Sequence, residues 1–242
     1  MSAARLVVFD LDGTLIDSRR DLTDSANLLV AERGGRPLPE ADIVRMVGEG
    51  AALLVRRALT AANLPFADAD VVRFLEIYDG RLLETTRPYP GMRQALEDVA
   101  AEAIVAVLTN KPLAPARVLL EALDLAPFIA TTVGGDGRFP RKPDPASLRS
   151  LIDAHGASPT STVMVGDTRI DFETAANAGT HMCLTRYGFG YEQFDTKRLT
   201  GREALVDEPA AIPGAIRRML AATESAGRLS GPWGPDERGV AG

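Results

Sequence analysis

The stretch VFDLDGTLID, residues 8–17, decides how the rest of the chain is read. It continues an apolar run, LVVF at residues 6–9, that stops at Asp10. A run that is hydrophobic at every position suits a strand buried on both faces. Asp10 and Asp12 are two residues apart, so an extended chain would direct both carboxylates to one side. Paired carboxylates serve either a hard cation or an acid–base partnership. Gly13 lets the backbone turn sharply and present N–H groups to an anion. The same pentapeptide, residues 10–14, also reads as a plain strand-end turn, since Asp and Gly are turn formers.

After this loop the apolar positions Leu22, Ala26, Leu29 and Val30 recur at helical spacing, which predicts a helix over residues 18–33. Gly34, Gly35, Pro37 and Pro39 end it. A second helical stretch covers residues 40–62, broken near Gly48-Glu49-Gly50, and a third covers residues 68–84. No strand pattern appears between residues 17 and 86. From residue 88 on the pattern alternates. Helices are expected at 92–101, 114–123, 145–155, 171–178 and 209–222. Strands are expected at 104–108, 128–133, 162–165, 181–184 and 204–206. Strands alternating with helices imply a parallel sheet wound right-handedly. The fold class is therefore α/β: a Rossmann-like parallel core, residues 1–17 and 88–223, with an inserted α-helical cap, residues 18–87. The Gly-, Pro- and Ser-rich tail, residues 224–242, is read as disordered by composition.

Composition narrows the class of function. The 242 residues are 45% hydrophobic, enough for a core, and no apolar run is long enough to span a bilayer. The net charge of −6 argues against nucleic acid as the main partner, because phosphate-backbone binding needs a positive field. It does not argue against a small anionic substrate, which needs only a locally positive pocket. One cysteine, Cys183, excludes an internal disulfide and favours a reducing compartment, so the expectation is a cytoplasmic protein, a monomer or homodimer, with no membrane partner.

In open parallel sheets, ligands bind beyond the carboxyl ends of the strands. Polar residues gather there in this sequence. Asp10 and Asp12 follow the first run, Thr109-Asn110-Lys111 the second, and Gly166-Asp167-Thr168 a later one, with Arg141-Lys142 in another such loop. Thr109 and Asn110 can donate to an oxyanion, or simply cap a helix. Lys142, held among prolines, is a candidate phosphate clamp or a solvated lysine. Asp167 suits a hard-metal site, and Asp171 suits either orientation of Lys142 or a helix N-terminus. Together they describe a phosphoryl-transfer machine. One carboxylate attacks phosphorus, a second handles the proton, and cations and donors neutralise the phosphoryl oxygens.

The motifs VFDLDGTLID (8–17), VLTNKP (107–112), RKPDP (141–145) and VGDTRIDFETAANAG (165–179) resemble, in order, those of the haloacid dehalogenase superfamily. That resemblance implies a Rossmann-like core with a helical cap inserted after the first motif. It implies Asp10 as nucleophile and Mg²⁺ ligand, and Asp12 as general acid/base whose backbone carbonyl also binds Mg²⁺. It further implies that Thr109 and Asn110 hold the phosphoryl oxygens and that Lys142 stabilises charge. Asp167 completes the metal site, with Asp171 in support. The second carboxylate, Asp12, sets the chain apart from the dehalogenases of the superfamily. MVGEGAALLVRRAL (46–59) and GGDGRFPRKPDPASL (134–148) resemble its phosphoglycolate phosphatase branch, although Phe139-Pro140-Arg141 departs from the pattern.

The reading that follows is a Mg²⁺-dependent phosphatase of a small phosphorylated metabolite, 2-phosphoglycolate. The alternatives are a phosphosugar mutase, a phosphatase of another small ester or of pyrophosphate, or a non-catalytic module that keeps only the fold. The core motifs all address the phosphoryl group, so leaving-group recognition falls to the cap. There the Gly48-Glu49-Gly50 loop offers N–H groups, and Arg45 or Lys111 offers charge. Arg45 is placed first because it lies in the cap beside that loop. His155, His181 and Cys183 are read as structural and Trp233 as an exposed residue of the tail.

Overall fold

The LVVF run sits at the centre of a sheet covered on both faces. A computed structural model describes residues 3–229. Strand β1, Ala4–Phe9, is followed by a two-residue strand β2, Ile16–Asp17. Helices α1 Arg19–Glu32, α2 Glu40–Val44, α3 Ala51–Ala61 and α4 Asp68–Asp79 come next, then a second two-residue strand, β3 Arg87–Pro88. The rest alternates: α5 Met92–Ala100, β4 Ile104–Leu108, α6 Leu113–Ala122, β5 Thr131–Val133, α7 Ala146–Ala154, β6 Ala157–Gly166 and α8 Arg169–Ala178. It closes with β7 His181–Thr185, β8 Ala204–Val206 and α9 Ile212–Leu229.

Six strands form one parallel sheet in the order β5-β4-β1-β6-β7-β8. The side chains of β1 alternate between two cores, as a pleated strand requires. Leu6 and Val8 join Ala106, Met164 and Leu184 beneath Leu148 and Ile152 of α7 and Ala175 of α8. Val7 and Phe9 join Val107 and Val165 beneath Leu96 of α5, Leu119 of α6 and Ile216 of α9. All four β1 residues are fully buried, which is why no polar alternation marks the strand.

The chain leaves β1, builds β4 and β5 on one side, then returns to build β6 on the other. Such a reversal opens a crevice at the carboxyl ends of the strands flanking it. The register makes those ends level, because Phe9 pairs with Val107 on β4 and with Val165 on β6.

Strands β2 and β3 pair antiparallel, Ile16 with Pro88 and Asp17 with Arg87, and form a neck from which α1–α4 project over that crevice. Two-residue strands carry no periodicity, so the sequence shows neither. The neck is fastened from inside the helices. Buried Asp21 of α1 accepts from the backbone N–H of Thr85 at 3.0 Å and of Thr86 at 2.8 Å, and from both hydroxyls. The 40–62 helical stretch is broken as expected, into α2 and α3, and Gly48 and Gly50 between them both take positive φ, at 110° and 93°. The last helix departs from expectation at its far end. Residues 224–229, read as tail, are the final turns of α9, whose spacing of Ile212, Ile216 and Leu220 carries the helix past the core edge. The remaining tail residues, with Trp233, lie outside the described residues.

Candidate active site

The first loop holds its shape by burying its own apolar residues. Leu11 and Leu15 are fully buried, and the Leu11 carbonyl accepts from the N–H groups of Leu15 at 2.9 Å and Ile16 at 3.1 Å. Asp10 is fixed by its N–H, which donates to the Val165 carbonyl at 2.9 Å. Gly13 has φ 87°, and a Cβ there would overlap the Asp167 carboxylate. Gly13 is thus needed for its backbone and for its missing side chain. Gly13→Ala is expected to cost on the order of 2–3 kcal/mol, from positive-φ strain plus overpacking. Chemical denaturation measures this directly, and an unchanged midpoint would remove Gly13 from the account.

Three buried carboxylates meet behind this loop. Oxygens of Asp10, Asp167 and Asp171 all lie within 4.8 Å of one another. Lys142 brings the ammonium, its Nζ 2.8 Å from Asp10 Oδ1 and 2.7 Å from Asp171 Oδ1. Burial works against the Lys142 charge, but Asp10 and Asp171 more than offset it and its pKa is raised. Asp171 is fully committed. Its second oxygen accepts from the Thr168 N–H at 3.1 Å and from the Thr168 hydroxyl at 2.6 Å, closing a capping box at the start of α8. Both readings of Asp171, capping and orientation of Lys142, therefore hold at once. Asp167 accepts from the Thr14 hydroxyl at 3.0 Å and the Gly190 N–H at 2.7 Å. Neither partner is charged.

This cluster is short of positive charge. Burial raises the Asp10 pKa to about 7 despite Lys142, and burial raises Asp167 well above the usual carboxylate range. Asp10 Oδ1 accepts no hydrogen bond of good geometry; its 2.8 Å contact with Lys142 is an ion pair only. The Asp12 backbone carbonyl likewise accepts none among the described residues. Hard oxygen donors with unsatisfied charge fit a divalent cation, and the buried carboxylates of Asp10 and Asp167 offer such donors side by side.

Asp12 faces a cavity of about 50 Å³ between the sheet and the projecting helices. Its floor is Asp10, Asp12, Thr109 and Asn110; its far wall is Leu22, Val47, Ala51, Leu54 and Phe74. Asp12 accepts from Ser18 Oγ at 2.6 Å and from Lys111 Nζ at 2.9 and 2.8 Å on its two oxygens. Thr109 Oγ1 accepts from the Lys111 N–H at 3.2 Å and keeps its own proton to donate. The Asn110 side chain is occupied within the protein. Its amide nitrogen donates to the carbonyls of Gly48, 2.9 Å, and Lys142, 3.0 Å, while its oxygen accepts from the Lys142 N–H at 2.9 Å. The Asn110 side chain is therefore a brace. What it has left for a phosphoryl oxygen is its backbone N–H, which, like that of Asp12, donates to no acceptor among the described residues.

Arg45 is not brought to the cavity. It stands just past the end of α2, exposed, with its guanidinium 2.9 Å from Asp42. The buried cation of the cavity is Lys111. Arg45→Ala is accordingly expected to leave kcat/KM within about twofold, since surface ion pairs carry little energy; a larger loss in a steady-state assay would return Arg45 to the site. The Gly48–Gly50 loop does reach the cavity: Gly48 and Gly50 line it, and the Gly48 carbonyl accepts from Asn110. Residues absent from the sequence reading are Tyr78, whose ring lies 4.6 Å from Lys111 Nζ, together with Ser18, Thr14 and Gly190. Burial raises the Tyr78 phenol to about 12, with Lys111 opposing.

None of the described residues read as structural lines the cavity. His155 Nε2 lies 3.0 Å from the Thr131 hydroxyl, His181 Nε2 lies 3.2 Å from the Thr160 carbonyl, and Cys183 is buried, its thiol raised to about 12 by burial. No helix among the described residues is long and apolar enough to cross a membrane.

Residues 4–179 match the haloacid dehalogenase-like hydrolase family. The chain is 46% identical over 197 residues to a phosphoglycolate phosphatase of Rhodospirillum rubrum, covering 78% of this chain and 82% of that one. It is 34% identical over 219 residues to a phosphoglycolate phosphatase of Caulobacter vibrioides, covering 88% and 91%. Its fold is similar to the crystal structure of a predicted phosphoglycolate phosphatase from Haemophilus somnus, with TM-score 0.78 and 28% identity over 88% of this chain and 97% of that one.

Proposed function

The chain belongs to the haloacid dehalogenase-like hydrolase family, and from that premise we propose that it is a Mg²⁺-dependent phosphatase acting on 2-phosphoglycolate through an aspartyl-phosphate at Asp10. The observation that carries this reading is the pairing of two carboxylates with different surroundings at one strand end. Both line the cavity and each meets a lysine, but Asp10 Oδ1 accepts no hydrogen bond of good geometry beside Lys142, whereas Asp12 accepts from Ser18 Oγ and, on both oxygens, from Lys111. Environments that differ this way divide the work between a nucleophile and a proton carrier. The names of the relatives from Rhodospirillum rubrum and Caulobacter vibrioides support the choice of substrate.

In this reading an oxygen of Asp10 forms a bond to phosphorus as the ester P–O bond breaks. Asp12 gives its proton to the departing alkoxide. Water then attacks phosphorus, Asp12 takes a proton back, and inorganic phosphate leaves with Asp10 restored. Thr109 Oγ1 and the backbone N–H groups of Asp12 and Asn110 donate to the phosphoryl oxygens as their charge redistributes. Lys142, anchored by Asp171, keeps a positive charge beside the attacking carboxylate. Mg²⁺ bound by Asp10, Asp167 and the Asp12 carbonyl supplies electrostatic stabilisation of the phosphoryl oxygens. Such an enzyme acts in the cytoplasm as a monomer or homodimer.

Phosphate release from a panel of phosphorylated metabolites with Mg²⁺ tests the reading. The highest kcat/KM is expected for 2-phosphoglycolate. Turnover of a sugar phosphate into its isomer without net phosphate would support a mutase instead, and no phosphate from any ester would overturn the assignment.

The buried carboxylates also set a pH dependence. The Asp10 pKa is raised from 3.8 to about 7, so between those values the folded metal-free protein holds a proton that the unfolded chain has released. Stability from this group is present at low pH and is lost as pH rises toward 7. A cation binds the charged form and removes that penalty. The rise in Tm on adding Mg²⁺ is therefore expected to be larger at about pH 8 than at about pH 5. Calorimetry at both pH values checks this; a Mg²⁺ shift that is equal, or larger in acid, would contradict it.

A further inference from the structure

We propose that Lys111 and Tyr78 form the carboxylate-binding end of the site, Lys111 leaving Asp12 for the substrate's carboxylate when substrate enters; the inference rests on the phosphatase reading above. The wall facing the phosphoryl floor is apolar except at these two side chains. Tyr78, on α4, is 2% exposed, and its O–H finds no acceptor, because the Lys111 ammonium beside it can only donate. A buried O–H without an acceptor is costly, and such a group marks a place where an acceptor belongs. Phe74, one turn earlier, stacks on the Tyr78 ring at 5.9 Å and holds it in place.

Lys111 and Tyr78 both offer protons, so together they select an anion over an alcohol or a cation. In changing partners Lys111 exchanges one carboxylate for another, so its charge stays paired. When it leaves Asp12, that carboxylate still accepts from Ser18 Oγ at 2.6 Å. The ammonium remains against the Tyr78 ring at 4.6 Å, a favourable cation–π position. The cavity's size limits what lies between the anion and the phosphate. Its volume of about 50 Å³ is small, which favours a short spacer of one or two carbons between phosphate and carboxylate. The ligand class is a phosphate monoester of a short hydroxy acid.

The test compares 2-phosphoglycolate with 2-hydroxyethyl phosphate, in which an alcohol replaces the carboxylate. The wild-type enzyme is expected to prefer the acid by about 100-fold in kcat/KM, a value typical of losing charged hydrogen bonds. Lys111→Met should cut kcat/KM for the acid by on the order of 100-fold and for the alcohol by less than about tenfold. Lys111→Arg, which keeps the charge, should keep the preference. Tyr78→Phe removes one oxygen, and its expected effect is a rise of about tenfold in KM for the acid alone. If Lys111→Met does not fold, Tyr78→Phe decides. Equal losses on both esters in either variant would overturn the proposal, placing the residue in support of Asp12 or of the fold. Wild-type enzyme that hydrolyses both esters equally would overturn it while leaving the phosphatase reading intact. Release of phosphate from neither would overturn the phosphatase reading itself, and this inference with it.

Discussion

Asp10→Asn is expected to lower kcat by on the order of 10⁴-fold or more, the scale of removing a nucleophile. The substitution is nearly isosteric and leaves the loop anchors Leu11 and Leu15 untouched. It also removes a buried charge whose pKa burial has raised to about 7, so the metal-free protein is expected to be no less stable at neutral pH. Loss of activity with retained stability separates a chemical role from a structural one. The Mg²⁺ shift in Tm should shrink as well, because a carboxylate ligand is lost. Phosphate-release kinetics and calorimetry on one preparation read all of this. Residual turnover above about a hundredth of wild type would fit a positioned base rather than a covalent nucleophile.

Lys142→Met is the second large effect, and it acts on stability as well as rate. Lys142 is the cation shared by Asp10 and Asp171, both buried. Its removal leaves two carboxylates unpaired, which is expected to destabilise the protein by about 3–5 kcal/mol at neutral pH. The neighbouring acid tells how much of that is electrostatic. Adding Asp171→Leu to Lys142→Met should recover much of the lost stability, because one of the stranded charges is gone, while activity stays low. Urea denaturation of the single and double variants measures the recovery. A double variant less stable than the single would mean that Asp171 serves chiefly as the cap of α8, through Thr168, rather than as the seat of Lys142.

How much of this was legible in the sequence depends on where each signal resides. Strands β1 and β4, the buried second half of β6 and the middle of β7 are legible because burial on both faces makes those stretches apolar, and the matching ends of β1, β4 and β6 follow from that; the polar first half of β6, from Ala157, is not legible. Asp10, Asp12, Thr109, Lys142, Asp167 and Asp171 each end a strand or open the loop or helix that follows, so their convergence is legible too. The neck strands β2 and β3 are not, since two residues hold no period. The reach of α9 through Leu229 is hidden by the Gly and Ser of a segment whose composition resembles a tail.

For Arg45 and Lys111, adjacency in sequence stood in for adjacency in space. Arg45 neighbours the Gly48–Gly50 loop along the chain, yet the end of α2 turns it outward to Asp42. Lys111 lies far from that loop in sequence, yet the end of β4 carries it under α4 to meet Asp12 and Tyr78. Tyr78 looks like one more core position of an amphipathic helix, and only its unpaired hydroxyl sets it apart. Asn110 has the residue type to bind an oxyanion, but its side chain ties the Lys142 backbone to the Gly48 carbonyl instead.

If phosphorus passes through a bond to Asp10, mass spectrometry of acid-quenched enzyme detects it there. Asp12→Asn should slow breakdown of the intermediate more than its formation, because no carboxylate remains to take the proton of the attacking water. Mixed with 2-phosphoglycolate and Mg²⁺ and quenched in acid, that variant is predicted to carry one phosphoryl group on the peptide containing Asp10, at Asp10 itself. The same treatment of Asp10→Asn is predicted to yield none. An unmodified Asp10 peptide in a variant that still turns over substrate, or a phosphoryl group on a different residue, would contradict the account.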